Sequence, residues 1–218
     1  MPQITAVTPQ KKKSTRYNIF LNGQFAFGIA DENLLKHKLK VGENITNDQL
    51  KAIIKEEELG SLINLSLNFL SFRPRSETEI TNYLAKKISI MNGVNFAQAK
   101  QGPLISEVIT KLKKYNYVND TEFAKWWLDS RLKSNPKGPR FIEMELRQKN
   151  IDKEIIRKTL ESFPSEKQIA RIAISKKLSS WKKLSEIGFK RKMFSFLLQR
   201  GFNNETITQL IAFYIKKR

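Results

Sequence analysis

The stretch RFIEMELRQKNIDKEII, residues 140–156, predicts a helix that ends and is followed at once by a second helix. Ile142 and Leu146 are one turn apart, and Asn150 stands where a third apolar residue would follow. An asparagine there suits the left-handed residue after a helix, because Leu146 and Ile151 then hold the two positions whose contact accompanies a Schellman cap. Asp152 has the position of an N-cap for the second helix.

The same pattern recurs along the chain, which indicates an internal repeat. Its later copy, at identical spacing, is Met193, Leu197, Arg200, Gly201 and Phe202. The front half recurs earlier as Ile80, Leu84 and Lys87, and the stop alone recurs as Leu112, Asn116 and Tyr117. We predict units of three helices at 59–118, 119–163 and 164–218, with Asn203 capping a helix as Asp152 does. The first unit carries an insertion at about 89–103, predicted as a loop or a frayed helix end.

Residues 1–58 have a different pattern, which predicts a β segment followed by helix. The sequence RYNIFLNGQFAFGI alternates on either side of Asn22 and Gly23, a pair that favours a two-residue type I′ hairpin. A strand near residues 4–8 is expected to pair with this hairpin, and a short helix is expected near residues 32–37. The predicted fold class is therefore mainly α, with tandem three-helix repeats and a small N-terminal β-hairpin.

Helix starts are marked by capping boxes, in which a residue at the N-cap and another three positions later satisfy two free amides. The sequence contains four such pairs: Thr46 with Gln49, Ser76 with Glu79, Asn119 with Glu122, and Ser165 with Gln168.

Composition indicates a folded protein with an anionic partner. Of the 218 residues 40% are hydrophobic and 28% charged, and the formal net charge is +19. This excess suits nucleic acid, an acidic protein surface or anionic lipid. Residues 1–58 hold 9 basic and 7 acidic side chains, whereas residues 164–218 hold 13 and 3, so we expect the strongest positive field at the C-terminal end.

Several classes of site are excluded by what the chain does not contain. It has no cysteine and one histidine, His37, which excludes disulfides, thiolate zinc sites and multi-histidine metal sites. The sequence shows no glycine-rich phosphate loop and no paired catalytic carboxylates, so we predict no enzyme, no metal and no cofactor. No apolar run would span a bilayer and the first residues do not suit a signal peptide, so we expect a cytoplasmic monomer that does not bind membranes.

The candidate binding residues are basic side chains at predicted helix ends and turns. One group surrounds Pro74, Pro136 and Gly138 and comprises Arg73, Arg75, Arg131, Lys133, Lys137 and Arg140. The other lies in FKRKMFSFLLQR and the stop that follows, and comprises Lys190, Arg191, Lys192 and Arg200. Each of these residues has the alternative of a solvated cation near a helix C-terminus, where the dipole is worth about 0.3–1 kcal/mol. A helix such as FKRKMFSFLLQR also has membrane-surface binding as an alternative.

Trp126 and Trp127 have two interpretations. Either ring could stack on a base of single-stranded nucleic acid. For Trp127 we favour the core, because it shares a helix face with Phe123 at i, i+4.

The motifs YVNDTEFA, PKGPR and ELRQKNI occur in this order, within a match that extends over most of residues 59–163. Together they resemble the RecX family, bacterial modulators of the RecA recombinase. The resemblance implies a non-enzymatic, elongated and curved array of three-helix repeats. It implies binding to the RecA filament on single-stranded DNA, with restraint of ATPase activity and strand exchange. It also adds Arg147 and Lys149, on the same helix as Arg140, to the candidates. A free-standing nucleic-acid-binding protein stays open as the alternative.

Overall fold

A computed structural model of the chain describes residues 1–11 and 13–217, in which three strands and eleven helices are found. The strands are Ile4–Gln10 (β1), Lys13–Leu21 (β2) and Gln24–Ala30 (β3). The first helices are Asp31–Lys36 (α1), Asn47–Leu70 (α2), Glu77–Asn92 (α3), Phe96–Gln101 (α4) and Pro103–Lys114 (α5). The others are Asp120–Ser134 (α6), Pro139–Gln148 (α7), Lys153–Glu161 (α8), Glu166–Trp181 (α9), Glu186–Leu198 (α10) and Asn204–Ile215 (α11).

The N-terminal sheet is antiparallel, with strand order β1-β2-β3. Asn22 and Gly23 join β2 to β3 with φ angles of 49° and 82°, which confirms the predicted hairpin turn. The sheet buries Ile4, Ile19 and Ile29 against the first turns of α2. This cluster is the core of the N-terminal segment.

Helix α2 serves two cores. It begins at the predicted capping box of Thr46 and Gln49. It continues unbroken past residue 58, the predicted end of the N-terminal segment. Its Ile53 packs in the N-terminal cluster, whereas Leu59 and Leu62 pack with α3 and α5. The division of the chain into units stays a prediction.

The prediction of a loop at about 89–103 is wrong for much of that segment. Helix α3 runs on to residue 92 and ends at Gly93, whose φ of 66° is left-handed. Asn95 then caps α4, accepting a hydrogen bond from the Ala97 amide at 2.8 Å, and buried Ala99 joins the core of the first unit. The polar Asn-Gly and Gly-Pro pairs mark the turns on each side of α4, and the helix between them was missed.

The predicted stop signals are confirmed in detail. Asn150, with φ of 55°, donates its amide to the Arg147 carbonyl, and Ile151 donates to the Leu146 carbonyl at 3.1 Å. Gly201 and Phe202 make the same two bonds at the end of α10, and Asn116 and Tyr117 make them at the end of α5. These bonds define a Schellman cap and occupy carbonyls that a helix end otherwise leaves free.

The predicted helix starts are confirmed, but two of the four predicted capping boxes, at Asn119 and Ser165, are not complete. Asp152 and Asn203 cap α8 and α11 as predicted, the Ser76 capping box is complete, and Asn119 accepts from two amides of α6. Ser165 precedes α9 but makes no side-chain cap bond, so the predicted box there is wrong. The carboxylate of Glu166 instead accepts two bonds of 2.6 Å from Asn203.

Each group of three helices encloses its own apolar cluster. Helices α6–α8 bury Phe123, Ile142 and Leu146, and α9–α11 bury Phe189 and Met193 with their neighbours. Leu132 and Phe163 pack against both clusters. The second helix of each group, α7 or α10, thereby has one face fixed in a core and the other left outside.

Candidate partner-binding surface

The turn before α7 lies directly against the end of α10. The Gly138 amide donates to the Arg200 carbonyl oxygen at 2.8 Å. A Cβ placed on Gly138 would lie 2.3 Å from the Gly201 carbonyl oxygen, and one on Gly201 would lie 2.4 Å from the Phe141 amide nitrogen. Two backbones come this close only where both lack a side chain. The PKGPR turn and the stop after α10 therefore form one continuous surface.

Two predicted cations lie at this junction, and the described residues give neither of them an ion pair within 4.0 Å. Arg200 donates to the Asn135 side-chain oxygen at 2.8 Å and lies 4.3 Å from the ring centroid of Phe196. The Lys137 ammonium lies 3.9 Å above the ring of Phe141. Partial burial lowers the pKa of Lys137, and the nearby positive charge of Arg200 lowers it further. An anion bound here would relieve that repulsion.

Two other predicted cations are held together by one carboxylate. Arg73 forms a bidentate pair with Glu79, both bonds being 3.0 Å, and Lys149 donates to the same carboxylate at 2.6 Å. Burial raises the pKa of Glu79, but the hydrogen bonds and charges of Arg73 and Lys149 outweigh this, and the pKa lies below its ordinary value. Glu79 is also the third residue of α3, so it ties that helix to the end of α7. Arg73 and Lys149 therefore link the first unit to the second through Glu79.

Arg131 is engaged in a similar way inside the second unit. Its guanidinium binds Glu145 at 2.8 and 2.7 Å, and the Trp127 indole N–H donates to the same carboxylate at 2.8 Å. Trp127 is partly buried and lies 5.7 Å from the ring of Phe123, as expected for a core position. The face of the indole is covered by Arg131 and Lys149, so stacking on a base is not open to it without rearrangement.

Arg75 packs rather than projects. Its guanidinium lies 3.8 Å from the ring centroid of Phe69 and donates to the Phe69 carbonyl at 3.3 Å. Phe69 in turn stacks on Tyr83 at 4.2 Å. Burial lowers the pKa of Arg75, and the charge of Arg73 adds to the effect.

Two candidates form exposed pairs along their own helices. Arg147 binds Glu143 at 2.5 Å, and Lys190 binds Glu186 at 2.6 Å, each pair four residues apart. Such pairs are worth only about 0.2–0.5 kcal/mol. A partner can therefore displace them at small cost.

Four candidates are exposed, and the described part of the chain shows no ion pair for any of them: Lys133, Arg140, Arg191 and Lys192. Two of these occupy equivalent positions in successive units. Arg140 precedes the left-handed Asn150 by ten residues, and Arg191 precedes the left-handed Gly201 by ten. The repeat thus presents the same cation twice, once from α7 and once from α10.

Comparison with known proteins accounts for this architecture. Three family models match: the N-terminal domain of regulatory protein RecX over residues 2–46, its second three-helix domain over 119–160, and its third over 165–211. Regulatory protein RecX of Bacillus subtilis is 35% identical over 95% of this chain and 75% of its own length. That of Oceanobacillus iheyensis is 33% identical over 97% of this chain and 76% of its own. The chain belongs to the RecX family.

Solved structures of the family have the same fold. A crystal structure of regulatory protein RecX is 24% identical, covers 97% of this chain and 99% of its own, and superposes with a TM-score of 0.68. RecX from Lactobacillus salivarius is 22% identical, covers 72% of this chain and 96% of its own, and has a TM-score of 0.58. The relatives from Bacillus subtilis and Oceanobacillus iheyensis are both named regulatory protein RecX, and RecA regulation fits that name.

Within 1–11 and 13–217, no helix has the length and apolar character needed to cross a bilayer. Nor does that part of this RecX-family chain bring together three or more histidine or acidic side chains as a metal site would require.

Sequence reasoning missed one exposed aromatic group in this RecX-family chain. Tyr115 and Tyr117 at the end of α5 are 67% and 56% exposed, and the Lys114 ammonium lies 5.9 Å from the ring of Tyr115. Tyr117 has the cap position at which Ile151 and Phe202 are buried in the other units. The alternation KKYNY was the available signal, because basic residues interleaved with aromatics suit nucleic acid.

Proposed function

We propose that this protein binds the RecA recombinase filament on single-stranded DNA and restrains its ATPase activity and strand exchange, and so regulates repair and recombination. The observation that carries the proposal is the RecX match, which includes relatives 35% and 33% identical over nearly the whole chain. We further propose that it acts as a cytoplasmic monomer and without catalysis of its own.

The cationic surface supplies a physical basis for this binding. A filament on DNA offers phosphates and acidic side chains together, and both are recognised by arginine through charge-assisted hydrogen bonds. Arg140 and Arg191 are exposed and have the same place in two stacked units, so one protein can contact the filament twice. Lys137 and Arg200 lie between these two contacts, at the unit junction.

An ATPase titration tests the proposal. RecA is assembled on single-stranded DNA with ATP, this protein is added from far below to about equal molar amounts, and phosphate release is followed. We expect turnover and strand exchange to fall as the protein is added. Turnover and strand exchange that stay constant across the whole titration would rule the proposal out.

A second function, binding to nucleic acid alone, is favoured by Tyr115 and Tyr117. Exposed rings beside lysines suit stacking on single-stranded bases, a contact worth about 1–3 kcal/mol per base. If six to ten phosphates are engaged, affinity for a naked strand falls by about 10³ to 10⁵-fold between 50 and 200 mM salt. If the protein binds the filament but does not bind naked strands, or binds them with no dependence on salt, the second function is ruled out and the first remains.

A further inference from the structure

The outer face of α10 carries an apolar ridge that belongs to none of the apolar clusters of the described residues. Ile187, Phe194 and Leu198 are 80%, 39% and 45% exposed, and all three lie on one helix face, about 100–140° around the axis from buried Met193. Exposed hydrophobic side chains scattered singly need no explanation, but a contiguous row does. The row is about 16 Å long at 1.5 Å per residue.

Repeat equivalence excludes a structural reason for the ridge. Met193 corresponds to Ile142, so the positions of Phe194 and Leu198 are filled in the second unit by Glu143 and Arg147. Those two residues form an ion pair on α7, and the unit nonetheless buries its core completely. Stacking of units therefore does not require apolar residues at these positions. The ridge is a feature added to the third unit.

The spacing of the ridge indicates what covers it. Residues 187, 191, 194 and 198 are separated by four, three and four positions, which is the d-a-d-a spacing of a helix-to-helix seam. One of the four is Arg191, and a charged residue within such a seam selects a partner that carries an opposite charge facing it. Lys192 adds positive charge on one side, whereas Lys190 is paired with Glu186 at 2.6 Å.

We propose that the α10 ridge, defined as Ile187, Arg191, Phe194 and Leu198, docks an amphipathic α-helix of a partner protein that sets an aspartate or glutamate against Arg191. The inference rests on the proposed function only in naming the RecA filament as the carrier of that helix. It deepens that function, because it gives the third unit a protein contact rather than a phosphate contact.

Other occupants fit less well. A second copy of this chain would bring another +19 of formal charge, with a second Arg191 and its neighbouring lysines, against the same seam. A lipid surface attracts flanking lysines, but Arg191 lies inside the apolar row, where insertion would bury its charge. A carboxylate on a helix satisfies the arginine and the apolar residues at once.

The decisive variant is Ile187→Ser with Phe194→Ser, compared with Leu35→Ser plus Ile172→Ser, two exposed apolar residues on α1 and α9. Affinity for the RecA filament is measured by fluorescence anisotropy, together with circular dichroism and melting. We expect the ridge variant to bind about tenfold more weakly or worse, with unchanged melting, and the control to bind as wild type. If the wild type binds and the ridge variant binds equally well, the ridge inference fails and the proposed function stands. If the wild type does not bind the filament, both fail.

Cross-linking identifies the occupant even if the ridge variant misfolds. A photoreactive phenylalanine at position 187, which is 80% exposed, is irradiated with the filament and the product is mapped by mass spectrometry. We expect a cross-link to a RecA helix with an acidic residue on the same face. Replacing that acidic residue of RecA by arginine should then restore filament binding to the Arg191→Glu variant of this protein. A cross-link to DNA, to a second copy or to a basic segment overturns the inference, as does ridge-dependent binding to anionic phosphatidylglycerol vesicles.

Discussion

The amide nitrogen of Gly138 lies 2.8 Å from the carbonyl oxygen of Arg200, and this backbone hydrogen bond links the second unit to the third. It places the start of α7 against the stop after α10, so Arg140 and Arg191 are held in a fixed relation. The first and second units are joined differently, through side chains, by Glu79 with Arg73 and Lys149. The two junctions should therefore respond to different perturbations.

Replacing Gly138 by alanine should loosen the junction between the second and third units. The added methyl group would lie 2.3 Å from the Gly201 carbonyl, so one backbone must move and the hydrogen bond is lost. We expect the free energy of unfolding to fall by about 1–3 kcal/mol in urea titrations. The control is Gly60→Ala in α2, where nothing lies within 4 Å of the new methyl group. That variant should be as stable as wild type or slightly more so, and equal losses in the two variants would refute the close approach.

Substitutions at Asn150 test the Schellman cap at the end of α7. Its φ is 55°, a conformation that glycine adopts freely and alanine does not. We expect Asn150→Gly to melt at or above the wild-type temperature and Asn150→Ala to lose about 1 kcal/mol. Calorimetry on the two variants checks this order. Alanine proving as stable as glycine would mean that the left-handed residue is not required.

The junction between the first and second units should depend on pH. The pKa of Glu79 is lower in the folded protein than in the unfolded chain, where it is about 4.3. Its carboxylate therefore stabilises the fold at pH values above the unfolded pKa, and this stabilisation is lost as the pH falls below it towards the folded pKa. Glu79→Gln should lower the free energy of unfolding at pH 7 by about 1–3 kcal/mol, since it leaves Arg73 and Lys149 close together without a negative charge. Urea titrations of both proteins from pH 7 to pH 3 should show this difference shrinking below about pH 4.3. A difference that grew on acidification would contradict the ion pairs.

Local signals in the sequence were enough to predict the left-handed stops after α5, α7 and α10. Asn150 and Gly201 are each followed by an apolar residue whose amide donates a hydrogen bond to the helix that has just ended. The whole interaction therefore lies within a few residues of sequence. The helix in the predicted loop was missed because its start depends on Asn95, in a segment whose Asn-Gly and Gly-Pro pairs also suit a loop.

Contacts between distant residues could not be predicted in the same way. The charges of Arg131 and Arg140 are indistinguishable in sequence, yet Arg131 is bound to Glu145 across two helices and Arg140 is exposed without a described pair. The pairing of Arg147 with Glu143 was locally visible, because residues four apart on a helix are neighbours. The close approach of Gly138 to Gly201 could not be predicted, because no residue near either glycine in the sequence indicates the other.

Reversing Arg140 and Arg191 should weaken filament binding without unfolding the protein. Both side chains are exposed and lie on the outer faces of α7 and α10, so Arg140→Glu with Arg191→Glu changes charge at two equivalent sites and leaves both cores intact. We expect at least about a tenfold higher protein concentration to be needed for half-inhibition of RecA ATPase activity, because each lost charged contact is worth roughly 1.5–3 kcal/mol.

The control for this double variant is Lys51→Glu with Lys100→Glu, which makes the same change in net charge at exposed lysines of α2 and α4. It should inhibit nearly as wild type does, and both variants should melt at the wild-type temperature. If the two variants lose inhibition equally, net charge alone attracts the filament and the repeated arginines have no special role. If the arginine variant unfolds, the outer face of α7 or α10 is packed rather than free to bind a partner.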